Sequence, residues 1–334
     1  MTATTPRIGP HQLGGRVLLA PMAGITDMPF RKICREWGAS LAASEMTTAN
    51  TGLWETKKSA RRLAGGDEPG PRVVQIAGSE PAQIADAARM AVDRGADIVD
   101  INMGCPAKKV CKRLAGSALL RDEDLVQRIL EAAVNAVSVP VTLKMRTGWD
   151  PDHRNGVRIA RIAQDQGIQA IAVHGRTRAC AYRGEAEYET IRAIKESVRI
   201  PVFANGDVTD GPKAAAVLQS TGADAIMIGR AARGQPWLFR QLDDYLEKKV
   251  LTAQPALATR RDIILAHLEA MHRFYGETGG VRVARKHLAW YAEHLEDGAS
   301  FRSLAVSVDS SGAQLQITRE FFARREQGEN AAAG

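Results

Sequence analysis

The chain has 334 residues, 45% hydrophobic and 25% charged, the balance of a soluble globular protein with room for one large α/β barrel plus a smaller domain, or for two ordinary domains. No apolar run approaches the roughly 18 residues needed to cross a bilayer, Met1 to Gly15 lacks the basic-then-apolar layout of a secretion signal, and the four cysteines (Cys34, Cys105, Cys111, Cys180) include no C-x-x-C. A cytoplasmic protein without membrane attachment, zinc site or disulfide framework is therefore expected. The net charge of +7 permits a polyanionic partner without establishing one. The first 239 residues carry all of it, with 32 Lys+Arg against 25 Asp+Glu, while from Arg240 onward there are 13 of each.

In chain order, eight short, continuously apolar runs suit buried parallel strands: Arg16–Met22, Ser40–Met46, Arg72–Ala77, Asp97–Met103, Pro140–Met145, Gln169–His174, Ile200–Asn205 and Ala223–Ile228. Helical patterns lie between them at Pro81–Arg94, Asp122–Val137, Gly156–Gln166, Tyr188–Ser197 and Gly211–Ser220. Asp122 and Thr209 are the candidate N-caps, and Gly95, Gly167 and Gly222 the C-terminal stops. The recurring unit of helix, glycine and Ala/Ile-rich strand predicts a (β/α)8 barrel, with a doubly wound sheet as the fallback. Neither G-x-G-x-x-G after a strand nor a P-loop is present. After Pro236 the strand signals stop. Trp237–Val250 reads as helix, Leu251–Thr259 as a linker, and three or four helical segments follow to about Arg325, ahead of a polar tail, Gln327–Gly334, expected to fray. The expected domains are a barrel over 1–240 and a small all-helical domain over 241–334, the boundary falling between Pro236 and Pro255.

In such a barrel chemistry gathers at the strand C-termini. There the sequence places Pro21-Met22-Ala23-Gly24, Glu45-Met46, Gln75, Asn102 with Cys105, Lys144 with Arg146, His174-Gly175-Arg176, Asn205-Gly206-Asp207 and Gly229-Arg230. Some of these polar groups can simply cap adjacent helices; Lys144 can be an ordinary ion pair and His174 a satisfied core histidine. The glycine turns at Gly206 and Gly229, with Arg230, fit a cradle for a phosphate-bearing cofactor. The segment Asp100-Ile101-Asn102-Met103-Gly104-Cys105-Pro106-Ala107-Lys108-Lys109-Val110, followed by Gly116-Ser117, delivers a cysteine on a Gly/Pro turn off a strand. A cysteine without such a context is usually a small buried packing residue.

That segment resembles the signature of the tRNA-dihydrouridine synthases, flavoenzymes that reduce a uracil in tRNA, and the similarity runs from Ala20-Pro21-Met22-Ala23-Gly24-Ile25-Thr26-Asp27 through Arg230 into the helical tail. The resemblance implies FMN held by Pro21, Met22, Ala23, Gln75, Lys144, His174, Asn205, Gly206, Asp207, Gly229 and Arg230, and NADPH as reductant. It implies that Cys105 protonates C5 of the uracil after hydride delivery to C6, a task suited to a thiol that is neutral at physiological pH. Asn102 would orient the base or ribose and Arg176 would neutralise a substrate phosphate. Lys144 would sit beside the flavin atoms that gain negative charge on reduction. Cys111 reads as structural, and Lys108, Lys109, Lys112 and Arg113 as a candidate RNA-facing strip or a solvated face. Similarity is greatest to the bacterial B branch, which implies a D-loop uridine at tRNA position 17. A uracil within folded tRNA must be splayed out, so a second surface must grip the tRNA body. Arg282, Arg285 and Lys286, spaced i, i+3, i+4 on one helical face, resemble the family's tRNA-binding stripe. A monomer without metal is expected. Two other functions remain open at this level: an FMN barrel acting on a free pyrimidine, as in dihydroorotate dehydrogenases, or a non-catalytic RNA-binding regulator.

Overall fold

A computed structural model describes residues 5–63 and 68–333, apart from the side chains of 328–333. Met1 to Thr4 and Gly334, included in the readings of the two termini, lie outside the described residues. The chain divides into two compact units, Met1–Gly229 with Phe239–Leu251, and Arg230–Leu238 with Thr252–Gly334. The helix Leu238–Lys248, which a boundary at 240 gives to the tail, thus groups mostly with the first unit.

The first unit contains eight parallel strands: β1 (Val17–Leu19), β2 (Thr47–Thr48), β3 (Val73–Ala77), β4 (Ile98–Met103), β5 (Val141–Arg146), β6 (Ile171–His174), β7 (Val202–Asn205) and β8 (Ala225–Ile228). Neighbours in sequence are neighbours in the sheet, and β8 returns to β1, with Ile226 opposite Val17 and Ile228 opposite Leu19. The last seam is closed by the residues before β2. There the Leu19 N–H donates to the Leu41 carbonyl at 2.8 Å, Ala42 bridges Leu19 and Ala43 bridges Val73. The second strand is therefore displaced from the expected Ser40–Met46. That stretch pairs through isolated bridges, the Glu45 carboxylate beyond them accepts from the Gly24 N–H, and regular pairing resumes at Thr47.

The five expected helices are present as Pro81–Asp93, Glu123–Ala136, Gly156–Asp165, Glu189–Ser197 and Gly211–Thr221. Met28–Glu36 and Lys57–Leu63 are additional. Asp122 caps its helix by accepting from the Leu125 N–H at 2.9 Å. Before Gly211 the cap is Asp210, not Thr209: Asp210 accepts from Lys213 N–H at 2.8 Å, and the Thr209 hydroxyl donates to the Asp210 carboxylate instead. Gly95, Gly167 and Gly222 all stop helices at positive φ, as expected. Among the described residues no helix is long and apolar enough to cross a membrane.

Side chains alternate along each strand, so every second residue faces the barrel interior. Val73, Ile98, Ala170, Phe203 and Ala225 fill its lower part. Farther along the same faces stand Gln75, Asn102, Lys144, His174 and Asn205; Asn102 is opposite Lys144 and His174 opposite Asn205, whereas Gln75 is opposite Asp100 and Lys144 is opposite Ala172 on its other side. The interior passes from apolar to polar toward the strand C-termini, and this gradient creates the site.

The second unit has four main helices, Leu257–Tyr275, Glu277–Ala292, Gly298–Ser307 and Ser311–Ala333. Its core joins Ile264, Leu268, Met271, Leu288, Phe301 and Phe322. The backbone of the tail expected to fray continues helical to Ala333.

Candidate active site

Asn102 shapes the cysteine loop. Its side-chain oxygen accepts from the backbone N–H of Gly104 at 3.2 Å and of Cys105 at 3.0 Å, an Asx-type turn that ends β4 abruptly. The Cys105 carbonyl then accepts from the Ser117 hydroxyl at 2.8 Å and the Ser117 N–H at 3.1 Å. This explains the interval between the cysteine and the later Gly-Ser: the serine ties down the far end of the loop. Gly116 has φ +63°, and a Cβ there would lie 2.9 Å from the Cys105 carbonyl oxygen, so the loop closes only over glycine. Cys111 supports the same carbonyl, its Sγ 3.6 Å away. Cys105 itself is half-buried. Burial pushes its thiol pKa up, and the nearby Arg146 charge only partly offsets this, so the neutral acid is the resting form.

Lys144 is 9% exposed, and its ammonium donates to the Asn205 side-chain oxygen at 2.9 Å. The Asn205 amide donates in turn to the Met227 carbonyl at 2.7 Å. Burial, with repulsion from Arg146, brings the Lys144 pKa down to about 8. Arg146, one inward position beyond, donates to the carbonyls of Gly104 (2.8 Å), Thr177 (2.9 Å) and Ala181 (2.8 Å), and stacks over Tyr182 at 5.5 Å. It binds the cysteine loop to the loop after β6. Two buried cations, neither in contact with a carboxylate among the described residues, form a site that favours an electron-rich ligand.

Gln75 is buried between Asp100 and Asn102. Its amide donates to the Asp100 carboxylate at 2.7 Å and its oxygen accepts from the Asn102 amide at 2.8 Å. One N–H and one lone pair remain, a donor–acceptor pair matched to an imide edge. His174 stands at the end of β6, its ring edge-on to Tyr182 at 6.4 Å. Pro21 to Gly24 form a partly exposed turn, with the Met22 carbonyl accepting from Ile25 N–H (2.9 Å) and Thr26 N–H (3.0 Å).

The turn after β7 depends on two residues of left-handed conformation, Gly206 at φ +133° and Asp207 at φ +48°. A Cβ on Gly206 would meet Ala186 Cβ at 2.7 Å, so side-chain space as well as conformation requires glycine. Arg176 holds Asp207 there through two charged hydrogen bonds, 3.0 and 2.6 Å, and also donates to the Gly184 carbonyl at 2.6 Å. The expectation is of an Arg176 facing a substrate phosphate; the geometry favours a positioning role instead. Its side chain is 3% exposed and its guanidinium is committed to fixing the Asn205-Gly206-Asp207 turn. Gly229 ends the first unit, with Met22 Sδ 3.8 Å from where its Cβ would stand, and Arg230 opens the second.

The barrel mouth thus brings together Gln75, Asn102, Cys105, Lys144, His174 and Asn205. Sequence reasoning gave no role to Arg146, Tyr182 or Asp100. Arg146 and Asp100 were recoverable from the two-residue strand period, which places them on the faces of Lys144 and Asn102; Tyr182, in an irregular loop, left no such signal. Lys108, Lys109, Lys112 and Arg113 are exposed. In the second unit Arg282 is exposed, whereas Arg285 donates to the Val308 carbonyl at 3.1 Å and pairs with Asp309, and Lys286 is half-buried.

A family model described as dihydrouridine synthase matches residues 18–326. The chain is 58% identical over 316 residues to tRNA-dihydrouridine synthase B of Xanthomonas campestris pv. campestris, covering 95% of each chain. It is 55% identical over 320 residues to that of Pseudomonas aeruginosa, covering 96% of each, and 54% identical over 316 residues to that of Escherichia coli K12, covering 95% of this chain and 98% of the relative. Among solved structures, histamine dehydrogenase from Rhizobium sp. 4-9 superposes with a TM-score of 0.57 at 15% identity over 80% of this chain, which spans about half, 51%, of that enzyme. An old yellow enzyme homologue from Zymomonas mobilis gives 0.51 at 17% identity, covering 78% of this chain and 96% of that one. At such identities the likeness shows the barrel fold alone.

Proposed function

The chain belongs to the dihydrouridine synthase family, and on that premise we propose that it reduces a uridine of tRNA to 5,6-dihydrouridine with FMN as cofactor and NADPH as reductant. The observation that carries the reading is a half-buried neutral thiol, Cys105, on the barrel mouth that also presents the buried Lys144 ammonium. FMN, once reduced by the nicotinamide, supplies the hydride for C6 of the uracil.

The residues fit such a group. The Gly206 turn leaves no room for a side chain, Lys144 has a buried charge that no carboxylate contact among the described residues neutralises, and Gln75 retains a free donor and acceptor. Lys144, Gln75, His174, Asn205 and the turns at Pro21 to Ala23, Gly206 to Asp207 and Gly229 would hold the cofactor. Lys144 favours the reduced ring electrostatically. Cys105 would give its proton to C5, the carbon at which negative charge develops once C6 has taken a hydride, and burial keeps that proton on sulfur until it is needed. Asn102 keeps the loop in place through the Gly104 and Cys105 N–H groups.

The substrate uridine is in the D-loop, at position 17, in keeping with similarity to the B relatives across 95% of the chain. The helical unit grips the tRNA body with Arg282 foremost, and Arg285 and Lys286 beside it. We take the working unit to be a monomer acting in the cytoplasm. The test is nucleoside mass spectrometry of unmodified tRNA incubated with the purified protein and NADPH, beside Cys105→Ala. A gain of two hydrogens on a D-loop uridine, lost or much slowed in the variant, is the expected result. An unchanged tRNA pool, despite bleaching of the flavin by NADPH, would overturn the substrate assignment.

A further inference from the structure

Asp100 stands on β4 one inward position below Asn102, is 6% exposed, and is opposite Gln75 on one side and Thr142 on the other. Its carboxylate accepts from the Gln75 amide at 2.7 Å and from the Thr142 hydroxyl at 2.7 Å. Gln75 accepts from the Asn102 amide at 2.8 Å, and Asn102 accepts from the N–H groups of Gly104 and Cys105 at 3.2 and 3.0 Å. The series runs without interruption from a buried carboxylate to the backbone of the cysteine loop.

Its direction is determined from both ends. An ionised carboxylate can only accept, so Gln75 must turn its NH2 group toward Asp100 and its oxygen toward Asn102. Backbone N–H groups can only donate, so Asn102 must turn its oxygen toward the loop and its NH2 toward Gln75. The two constraints agree. Without the carboxylate, Gln75 and Asn102 could reverse together, leaving the Gly104 and Cys105 N–H groups without an acceptor and exchanging the donor and acceptor on the free edge of Gln75.

We propose that Asp100 is a positioning residue that sets the direction of the Gln75 and Asn102 amides, and thereby places both the cofactor-facing edge of Gln75 and the Cys105 loop. This deepens the functional reading above and rests on its assignments of Gln75 and Cys105. Asp100 touches neither cofactor nor uracil; it acts through the two amides.

The experiment compares wild type, Asp100→Asn, Thr142→Val, the double variant Asp100→Asn with Gln75→Glu, and Cys105→Ala. In flavin-free protein, Cys105 alkylation by iodoacetamide is followed by peptide mass spectrometry, and FMN affinity by quenching of flavin fluorescence. In flavin-loaded protein, single-turnover reduction of unmodified tRNA is timed. Asp100→Asn is expected to speed Cys105 alkylation and to weaken FMN binding, each by about tenfold, the size of one lost buried hydrogen bond. Thr142→Val should do the same by roughly two- to threefold, and it serves if Asp100→Asn does not fold. In the double variant donor and acceptor trade places across the first link: the introduced amide donates to the introduced carboxylate, which still accepts from Asn102. Alkylation should therefore return to near the wild-type rate while FMN binding stays weak, because a carboxylate in place of the Gln75 amide has no N–H to offer. A merely structural role for Asp100 would not produce that split. Wild-type alkylation and FMN affinity in Asp100→Asn, or a double variant as fast to alkylate as the single, would overturn the proposal. If instead Cys105→Ala reduces tRNA at the wild-type rate, the acid assignment fails, and the alkylation and FMN data still decide the role of Asp100.

Discussion

The ammonium of Lys144 on β5 reaches past β6 to the side-chain oxygen of Asn205 on β7, 2.9 Å away, and no carboxylate among the described residues shares a salt bridge with it. Its pKa is lowered from 10.5 to about 8, first by burial and then by Arg146. The unfolded chain thus holds this proton more tightly than the folded one, so stability from this group rises as pH increases from about 8 to above 10.5. Below that window the buried charge costs the flavin-free protein about 3 kcal/mol. Lys144→Met is expected to raise the melting temperature of flavin-free protein by several degrees at neutral pH, about 2–4 °C for each kcal/mol. The same change should lower the flavin midpoint potential, by about 30 mV for each 1.4 kcal/mol of stabilisation lost from the reduced form. A variant with lower flavin-free stability and an unchanged potential would contradict the role given to Lys144.

As the proposed acid Cys105 acts in its protonated form, and burial raises its pKa. Single-turnover uracil reduction should therefore stay level with rising pH through the ordinary thiol range and fall only above it, as the acid is lost. Cys105→Ala should slow the step by roughly 10²- to 10⁴-fold, the usual contribution of a positioned acid. Stopped-flow oxidation of the NADPH-reduced enzyme by tRNA, recorded across pH, checks both. A decline beginning below the normal thiol pKa that persists in Lys144→Met, which lacks the group titrating at about 8, would contradict the assignment.

Arg176 separates a structural from a substrate role. Its partner Asp207 has 29% of its side chain exposed and occupies a left-handed conformation. Removing the arginine should cost about 2–3 kcal/mol, somewhat less than for a fully buried pair. Arg176→Ala is expected to lower the melting temperature and the FMN affinity while leaving the salt dependence of tRNA binding alone. Arg176→Lys should not rescue it, because an ammonium cannot reproduce the two-pronged contact. Unchanged stability with weakened tRNA binding would restore the phosphate-contact reading.

Much of this site was legible because a parallel barrel turns strand ends into a list of candidates. Gln75, His174 and Asn205 sit where an apolar run meets its first polar residue, and Asn102 and Lys144 stand two residues beyond the first ones, Asp100 and Thr142. What stayed hidden was pairing across the chain. Arg176 and Asp207 are 31 residues apart, and nothing local in either segment indicates that one is reserved for the other. The contact of the Glu45 carboxylate with the Gly24 N–H, 21 residues away, was hidden in the same way. Thr209 and Asp210 are adjacent and both good caps, and only the observed geometry chooses the carboxylate.

Among the basic residues of the helix Glu277–Ala292, Arg282 is the exposed one, while Arg285 is engaged with Asp309 and the Val308 carbonyl. Arg282→Ala should weaken tRNA binding with little dependence on sequence and reduce the salt slope by about 1, as for one phosphate contact. Arg285→Ala should have a smaller effect on the slope. Filter binding over a range of salt concentrations distinguishes them, and equal slopes for wild type and Arg282→Ala would exclude that contact.

His267 and His287 pack edge to face at 4.8 Å inside the helical unit, and His267 Nδ1 lies 2.9 Å from the Tyr291 hydroxyl. Burial lowers the His267 pKa from 6.5 to about 3, and burial together with its neighbours' charges carries His287 well below its usual value. As pH falls below 6.5 the unfolded state takes up protons that the folded state refuses. Each histidine should then remove about 1.4 kcal/mol of stability per pH unit. Trp290, stacked on His287 at 5.0 Å, offers a local fluorescence signal for this unit. Urea unfolding between neutral pH and pH about 5 should show the loss, with a slope that approaches two protons at the acid end. His287→Leu should flatten it by about one proton, since a leucine has nothing to titrate. Because surface carboxylates titrate alike in both proteins, the difference in slope isolates the histidine, and identical slopes would mean that His287 is charged in the folded chain.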